Sequence, residues 1–179
     1  ASQKRGKILG AGQRVFLEVG LRAATMEAIA REAGVAKPTL YKYFADKEAV
    51  FAAVVDGQIA KLHELVEPLL APPGPPLERA ANALAAKHKF MFRLLSGSPH
   101  AVELKAAGRG DPFMKFEEWF SREIARLLAE AGEAEPVRMA HLMIACASGI
   151  MQHAIRAEEI GPAVRMMVER LSAPQTGSA

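Results

Sequence analysis

The sequence predicts an all-α protein of about nine helices, and three observations predict it. Period-two alternation of apolar and polar residues is absent, and β-branched residues are sparse. Ala, Leu, Glu, Arg and Met, which lose little on entering a helix, dominate the chain. Apolar residues recur instead at three- and four-residue spacing, between breaks rich in glycine and proline.

The first helix is expected from about Lys4 to Val19, with Ile8, Leu9, Val15, Phe16 and Val19 on its apolar face and Gly20 ending it as a C-cap. Thr25 caps the second, which buries Met26, Ile29 and Ala30; Gly34 then permits a tight turn. The third is short, about Lys37 to Phe44. The fourth starts after Ala45-Asp46, with Asp46 as N-cap, and carries Phe51, Val54, Val55, Ile59, Leu62, Leu65 and Val66 at helical spacing. Pro68 and the segment 71–76, APPGPP, are expected to stop it and to form a rigid corner. A fifth helix spans roughly Leu77 to Leu95. Ser98-Pro99 reads as a cap followed by a first-turn proline, opening a short sixth helix to about Ala107. After the break GRGDP, a seventh covers about Pro112 to Glu130, with Phe113, Phe116, Phe120, Ile124, Leu127 and Leu128 on one side. An eighth runs from about Pro136 to Ala157. The ninth follows Gly161-Pro162 with Val164, Met167, Val168 and Leu171 inward, and the tail from Ala173 should fray.

Half of the 179 residues are hydrophobic, enough for a sizeable core without covalent staples. The single cysteine, Cys146, rules out an internal disulfide and suits a reducing compartment. No continuous apolar stretch follows the basic residues of the opening segment, so no secretory signal is expected there. The longest apolar run, Leu142 to Met151, is broken by Ser148 and falls short of the roughly 18 residues of a membrane span. A cytoplasmic protein with no membrane partner is expected. The five histidines lack metal-ligand spacing, so no metal is expected, and no catalytic cluster or cofactor motif stands out.

Net charge is only +3, but residues 1–47 carry +5 and the remainder −2. A basic head on a near-neutral body points to a polyanionic partner for the head. Within that head, residues 25–47 (TMEAIAREAGVAKPTLYKYFADK) read as two short helices joined by a glycine turn, the layout that lays a second helix into the major groove of duplex DNA. Ile29, Ala30, Val35, Leu40 and Phe44 are spaced to clamp the two helices together. Lys37, Pro38, Thr39, Tyr41, Lys42 and Tyr43 then project outward or along the flank. Lys37 can donate to a guanine edge, and Thr39 can bond a base or touch a thymine methyl. Tyr41, Tyr43, Lys47 and the Thr25 hydroxyl carry donors suited to phosphate oxygens.

Phe16, Gly20, Thr25, Ile29-Ala30, Ala33-Gly34-Val35, Thr39-Leu40-Tyr41, Tyr43-Phe44 and Lys47-Glu48 together resemble the N-terminal signature of TetR-type transcriptional regulators. The resemblance covers about the first 55 residues. It implies an all-α homodimer, with a DNA-binding domain over 1–47 and a ligand-binding and dimerisation domain over 48–179. It also implies a repressor released from a palindromic operator by a small-molecule effector, which the large apolar side chains of the body suggest is hydrophobic. Lys37, Pro38, Thr39 and Tyr41 fall at base-reading or nearby positions by that resemblance, and Thr25, Tyr43 and Lys47 at phosphate-contact positions. Two features depart from the pattern. Ala36 stands where a capping serine is common, at a cost of about 1 kcal/mol that Pro38 partly offsets. Gly10 and Gly12 lie inside the first helix, each expected to cost roughly 1 kcal/mol relative to alanine.

The body is legible only in outline. Phe90, Met91, Leu94, Phe116, Trp119 and Phe120, with His141, are candidates for a hydrophobic ligand pocket; an ordinary core is the competing account. The helix from Pro136 is apolar nearly all round, so it should be buried on more than one side. Leu142, Ala145, Cys146, Gly149 and His153, with Val164, Met167, Val168 and Leu171 of the last helix, are expected to form a dimer interface with their copies. The alternative function is a small all-α enzyme using the apolar cavity.

Overall fold

The computed structural model describes residues 2–96, 98–100 and 111–172. They form eight helices and, among the described residues, no strand: α1 Ser2–Ala23, α2 Met26–Ala33, α3 Lys37–Tyr41, α4 Lys47–Leu70, α5 Pro76–Leu95, α6 Asp111–Glu130, α7 Pro136–His153 and α8 Ala157–Leu171. The short helix expected over 98–107 lies mostly outside the described residues. Of its opening, Ser98 Oγ accepts the His100 N–H at 3.1 Å and donates to the Leu17 carbonyl at 2.5 Å.

The chain divides into two compact units: Ala1–Ala60 with Leu95–Met114, and Lys61–Leu94 with Lys115–Ala179. The first unit extends past residue 47 because the start of α4 supplies Val50, Phe51 and Val54 to a core shared with Ile8, Phe16, Ile29, Leu40 and Phe44. Phe16 and Phe51 meet edge to face there, ring centroids 5.1 Å apart. Gly20, at φ 77° and ψ 166°, interrupts α1 where the sequence places its end. Gly12 lies where α1 and α4 nearly touch: a Cβ there would come within 2.7 Å of Val50 Cγ1. Its helix-breaking cost secures this close approach.

The second unit buries Phe120, Ile124, Leu127 and Leu128 of α6, Ala83 and Leu84 of α5, Met143 and Ala147 of α7, and Ile160 and Val164 of α8. Three boundaries differ from expectation. Helix α4 runs through Pro68 to Leu70, whose orphan carbonyl accepts from Arg79 Nε at 3.2 Å, Arg79 Nη2, and Arg126 Nη2 at 3.3 Å. Two guanidinium groups thus satisfy the end of the helix two residues beyond the proline. Helix α7 ends at His153, and α8 begins at Ala157, ahead of Gly161-Pro162. The Glu159 carboxylate accepts the N–H groups of Ile155 at 3.0 Å and Arg156 at 3.4 Å, which starts the helix early and holds that carboxyl below its ordinary range. Pro162 then sits in the second turn, where its missing N–H costs one intrahelical bond.

Among the described residues no helix is long and apolar enough to cross a membrane, and no group of three or more His, Cys, Asp or Glu gathers as metal ligands would.

Candidate nucleic-acid interface

Local signals build the α2–turn–α3 motif. Thr25 is extended (φ −130°, ψ 155°), and its hydroxyl oxygen accepts the Ala28 N–H at 3.1 Å. At the other end Gly34 is left-handed (φ 64°, ψ 37°). The Val35 N–H bonds the Ala30 carbonyl at 3.0 Å, and the Gly34 N–H bonds the Arg31 carbonyl at 3.1 Å. This paired C-terminal arrangement needs a positive φ that glycine supplies without strain. Ala36 makes no side-chain cap, as expected, and Pro38 lies in the first turn. The Ala36 carbonyl nonetheless accepts from Thr39 at 2.8 Å and Leu40 at 3.2 Å. Regular helix stops at Tyr41, short of the expected Phe44. Helical bonding persists beyond it, since Tyr43 and Phe44 donate to the Leu40 carbonyl at 2.9 and 3.1 Å.

The faces divide as the spacing requires. Leu40 and Phe44 are buried, while Lys37, Pro38, Tyr41 and Lys42 are exposed and Thr39 and Tyr43 half-buried. Tyr43 packs its ring against the head core. Arg5 lies over the Phe44 ring at 5.5 Å, and Arg14 pairs with Glu32 at 2.6 Å, tying α1 to α2 and to the segment that follows α3. Asp46 caps α4 through the Ala49 N–H at 2.7 Å.

Two of the named cations have partners that sequence spacing did not reveal. Lys37 donates to the Glu27 carboxylate across the α2–α3 corner, with its ammonium 5.8 Å from the Tyr41 ring centre. Hydrogen bonding within this pair lifts Lys37 above its usual range and lowers Glu27 below the usual carboxylate range. Lys47, half-buried, donates to the Arg22 carbonyl at 2.9 Å and the Ala24 carbonyl at 3.0 Å. It thereby clips the start of α4 to the end of α1 and has one ammonium proton left for an outside acceptor.

In the second unit, Phe116 and Phe120 are buried and Trp119 half-buried, and the three form one aromatic cluster. His63 joins it, stacked on Trp119 with centroids 4.0 Å apart. Phe90, Met91 and Leu94 are half-buried on α5. His141 is exposed. It lines an open groove of about 550 Å³ with Glu118, Ser121, Arg122, Ala125, Arg126, Pro136 and Val137, on a different side of α6 from the aromatic cluster.

The polar interior lies on α5, where the sequence showed only an alanine-rich helix. Lys87 is 4% exposed, bonded to Glu117 at 2.8 Å, with its ammonium 5.1 Å from the Phe120 ring centre. His88 is 2% exposed. Its Nδ1 donates to the Leu84 carbonyl at 2.7 Å, so Nε2 accepts from the Ser148 hydroxyl at 3.3 Å. Burial, then the Lys87 charge, pushes the His88 imidazole down to about 4, so it is neutral at pH 7.

On α7 only Ala140, Met143 and Ala147 are fully buried. Leu142, Ala145 and His153 are exposed, and Cys146 and Gly149 half-buried. The expectation that α7 is covered on more than one side does not hold within one chain. On α8, Val164 and Val168 turn inward and are already buried in the chain, Met167 and Leu171 are half-buried, and Met166 is 62% exposed. Any surface that α8 offers to a copy therefore centres on Met166 and Met167, not on the two valines.

Residues 8–54 match the family described as bacterial regulatory proteins, tetR family. The HTH-type transcriptional activator FasR of Mycolicibacterium smegmatis is 30% identical over 113 residues, 60% of this chain and 52% of that protein. The HTH-type transcriptional repressor KstR2 of Mycobacterium tuberculosis is 33% identical over 85 residues, 48% of this chain and 42% of that protein. The chain thus spans about half the length of these curated relatives. A crystal structure of a TetR-like transcriptional regulator from Rhodococcus sp. RHA1 shares the fold with a TM-score of 0.72 at 21% identity, covering 95% of this chain and 96% of that one.

Proposed function

We propose that this chain, whose residues 8–54 belong to the tetR family of bacterial regulatory proteins and whose fold is that of TetR-like regulators, is a cytoplasmic transcriptional regulator that binds duplex DNA as a homodimer. One observation carries the reading. The α3 segment buries Leu40 and Phe44 while holding Lys37, Pro38, Tyr41 and Lys42 in solvent beside a capped α2 N-terminus. Thr39 and Lys37 read bases. Thr25, Tyr43 and Lys47 position the phosphate backbone, Lys47 with the one donor that its carbonyl contacts leave. Two heads would set their α3 helices about 34–36 Å apart, one turn of B-DNA, on a palindromic operator. The copies would meet through the outward face of α7, at Leu142, Ala145, Cys146, Gly149 and His153, and through Met166 and Met167 of α8.

A small hydrophobic effector in the second unit would bias the DNA-binding state. Helix α4 contributes residues to both units, so it is the element through which such a bias would travel. A coupling of about 1–3 kcal/mol would suffice for a switch. On this reading the protein acts as a repressor that the effector releases. The name of FasR, an activator, makes the sign of regulation the first thing to measure.

The test is fluorescence anisotropy on the DNA upstream of the protein's own gene, with random duplex as control. Wild type should prefer the upstream fragment. Tyr43→Phe, which keeps the packed ring and removes the hydroxyl, should weaken both DNAs alike. Thr39→Ala should lower the ratio between them, one lost base contact costing about 1–3 kcal/mol of discrimination. Equal affinity of wild type for both duplexes would refute sequence reading by α3.

A further inference from the structure

We infer that Glu27 is a specificity-determining residue of the DNA interface: its carboxylate holds the Lys37 ammonium until a well-placed acceptor on the duplex takes its place. The inference rests on the DNA-binding reading and adds to it a residue on α2 that sequence spacing did not single out.

Lys37 opens α3, and Glu27 lies in the first turn of α2. The two meet across the corner of the motif, both in solvent, with side chains 50% and 59% exposed. An exposed ion pair of this kind is weak and exchanges readily. The Tyr41 ring stands close to the same ammonium, so Lys37 is held over the surface of α3 and does not extend freely from it. Glu32, the other exposed glutamate of α2, pairs with Arg14 of α1. Glu27 is therefore the acid of α2 engaged with α3.

A carboxylate is an anion much like a phosphate oxygen, so the geometry has a consequence for recognition. While paired, Lys37 and Glu27 present no net charge to the duplex. When Lys37 transfers to DNA, Glu27 is left unpaired against a polyanion. A single phosphate contact replaces one anion by another and gains little. A guanine edge, offering O6 and N7 together, adds what a phosphate contact lacks, discrimination against the wrong base. Glu27 thus penalises Lys37 on the wrong sequence, and specificity comes from a repulsive element as well as an attractive one.

The test uses four full-length proteins: wild type, Glu27→Gln, Lys37→Met and the double variant. Each is titrated against operator and random duplex over a series of salt concentrations. Glutamine keeps the size of the side chain at an exposed position, and a thermal melt verifies folding. Freed of its pair, Lys37 should steepen the salt slope on random DNA by about 0.9 and tighten that binding about five- to ten-fold near 0.1 M salt. Operator affinity should rise less, so the operator-to-random ratio falls. In the Lys37→Met background the Glu27→Gln gain should vanish. Persistence of the gain there would show Glu27 acting as a bare charge and would overturn the inference. So would an unchanged ratio in Glu27→Gln. Binding to neither duplex by any of the four would overturn the DNA-binding reading itself and this inference with it.

Discussion

Helices α3 and α5 handle charge in opposite ways. Helix α3 and its C-cap keep Lys37 and Lys42 in water around one buried leucine, and the ion pair that Lys37 makes is exposed and easily exchanged. Helix α5 draws Arg79, Lys87 and His88 inside and gives each a fixed partner: the Leu70 carbonyl and Glu130, Glu117, and Leu84 with Ser148. Charge that must meet an outside polyanion has to remain cheap to re-partner. Charge used in the interior has to be satisfied completely, because an orphaned buried polar group costs more than a made bond returns. Helix α3 is therefore built to exchange contacts, and α5 to keep them.

The largest effect is expected from emptying the small core under α3. Leu40 is fully buried, so Leu40→Ala should cost about 3 kcal/mol, within the usual range for core leucines. DNA binding should be lost with it. Trp119, the sole tryptophan, lies in the second unit, so its fluorescence reports there while amide circular dichroism reports on both. Urea unfolding of this variant should show circular dichroism falling before tryptophan emission changes. Coincident transitions would mean the two regions unfold as one, which would break the contrast drawn between them.

The second effect belongs to the interior. His88 sits at about 4 in the folded state against 6.5 for a free imidazole. Between those values the unfolded chain binds a proton that the folded one does not, so stability rises with pH across this window and is lost as pH falls through it. Of a full loss near 3 kcal/mol, about 2 kcal/mol should appear between pH 7 and pH 5. Urea midpoints at the two pH values measure it. His88→Gln should flatten that dependence, whatever it does to stability at pH 7. An unaltered pH slope in the variant would place the titration elsewhere.

What the sequence made legible follows the same division. The Thr25 cap, the Gly34 turn and the Asp46 cap each depend on residues within five positions, and each stands where the residue types place it. The family resemblance in the head rests on the same local signals. The body's polar interior was not legible, because its partners are far along the chain: Lys87 to Glu117 is 30 residues, Arg79 to Glu130 is 51, and His88 to Ser148 is 60. The sequence suggests His141 for a ligand pocket and His153 for a dimer interface, and within the chain both face solvent on α7. The usable signal was on α5, whose run of alanines lets neighbouring helices come close enough to enclose longer polar side chains. Lys47 illustrates the same limit inside the head. Its residue type suggested a phosphate contact, and only the fold shows two of its donors committed to Arg22 and Ala24, about 25 residues earlier.

The smallest effect separates two glycines that look alike in sequence. Both Gly10 and Gly12 lie inside α1, and helix propensity alone predicts that alanine at either gains about 1 kcal/mol. At Gly10 an added Cβ meets nothing closer than Arg14 Nη1 at 3.7 Å, an ordinary contact, so Gly10→Ala should realise that gain. At Gly12 it would lie 2.7 Å from Val50 Cγ1, on a side chain that is itself fully buried and cannot swing aside. Overpacking of this kind costs about 1–3 kcal/mol, which cancels or exceeds the propensity gain. Gly12→Ala should therefore be neutral to destabilising, with Gly10→Ala more stable by about 2 kcal/mol in urea titrations of the pair. Equal stabilisation by both would mean that α1 and the start of α4 are not in close contact, and that the head core is looser than its buried residues imply.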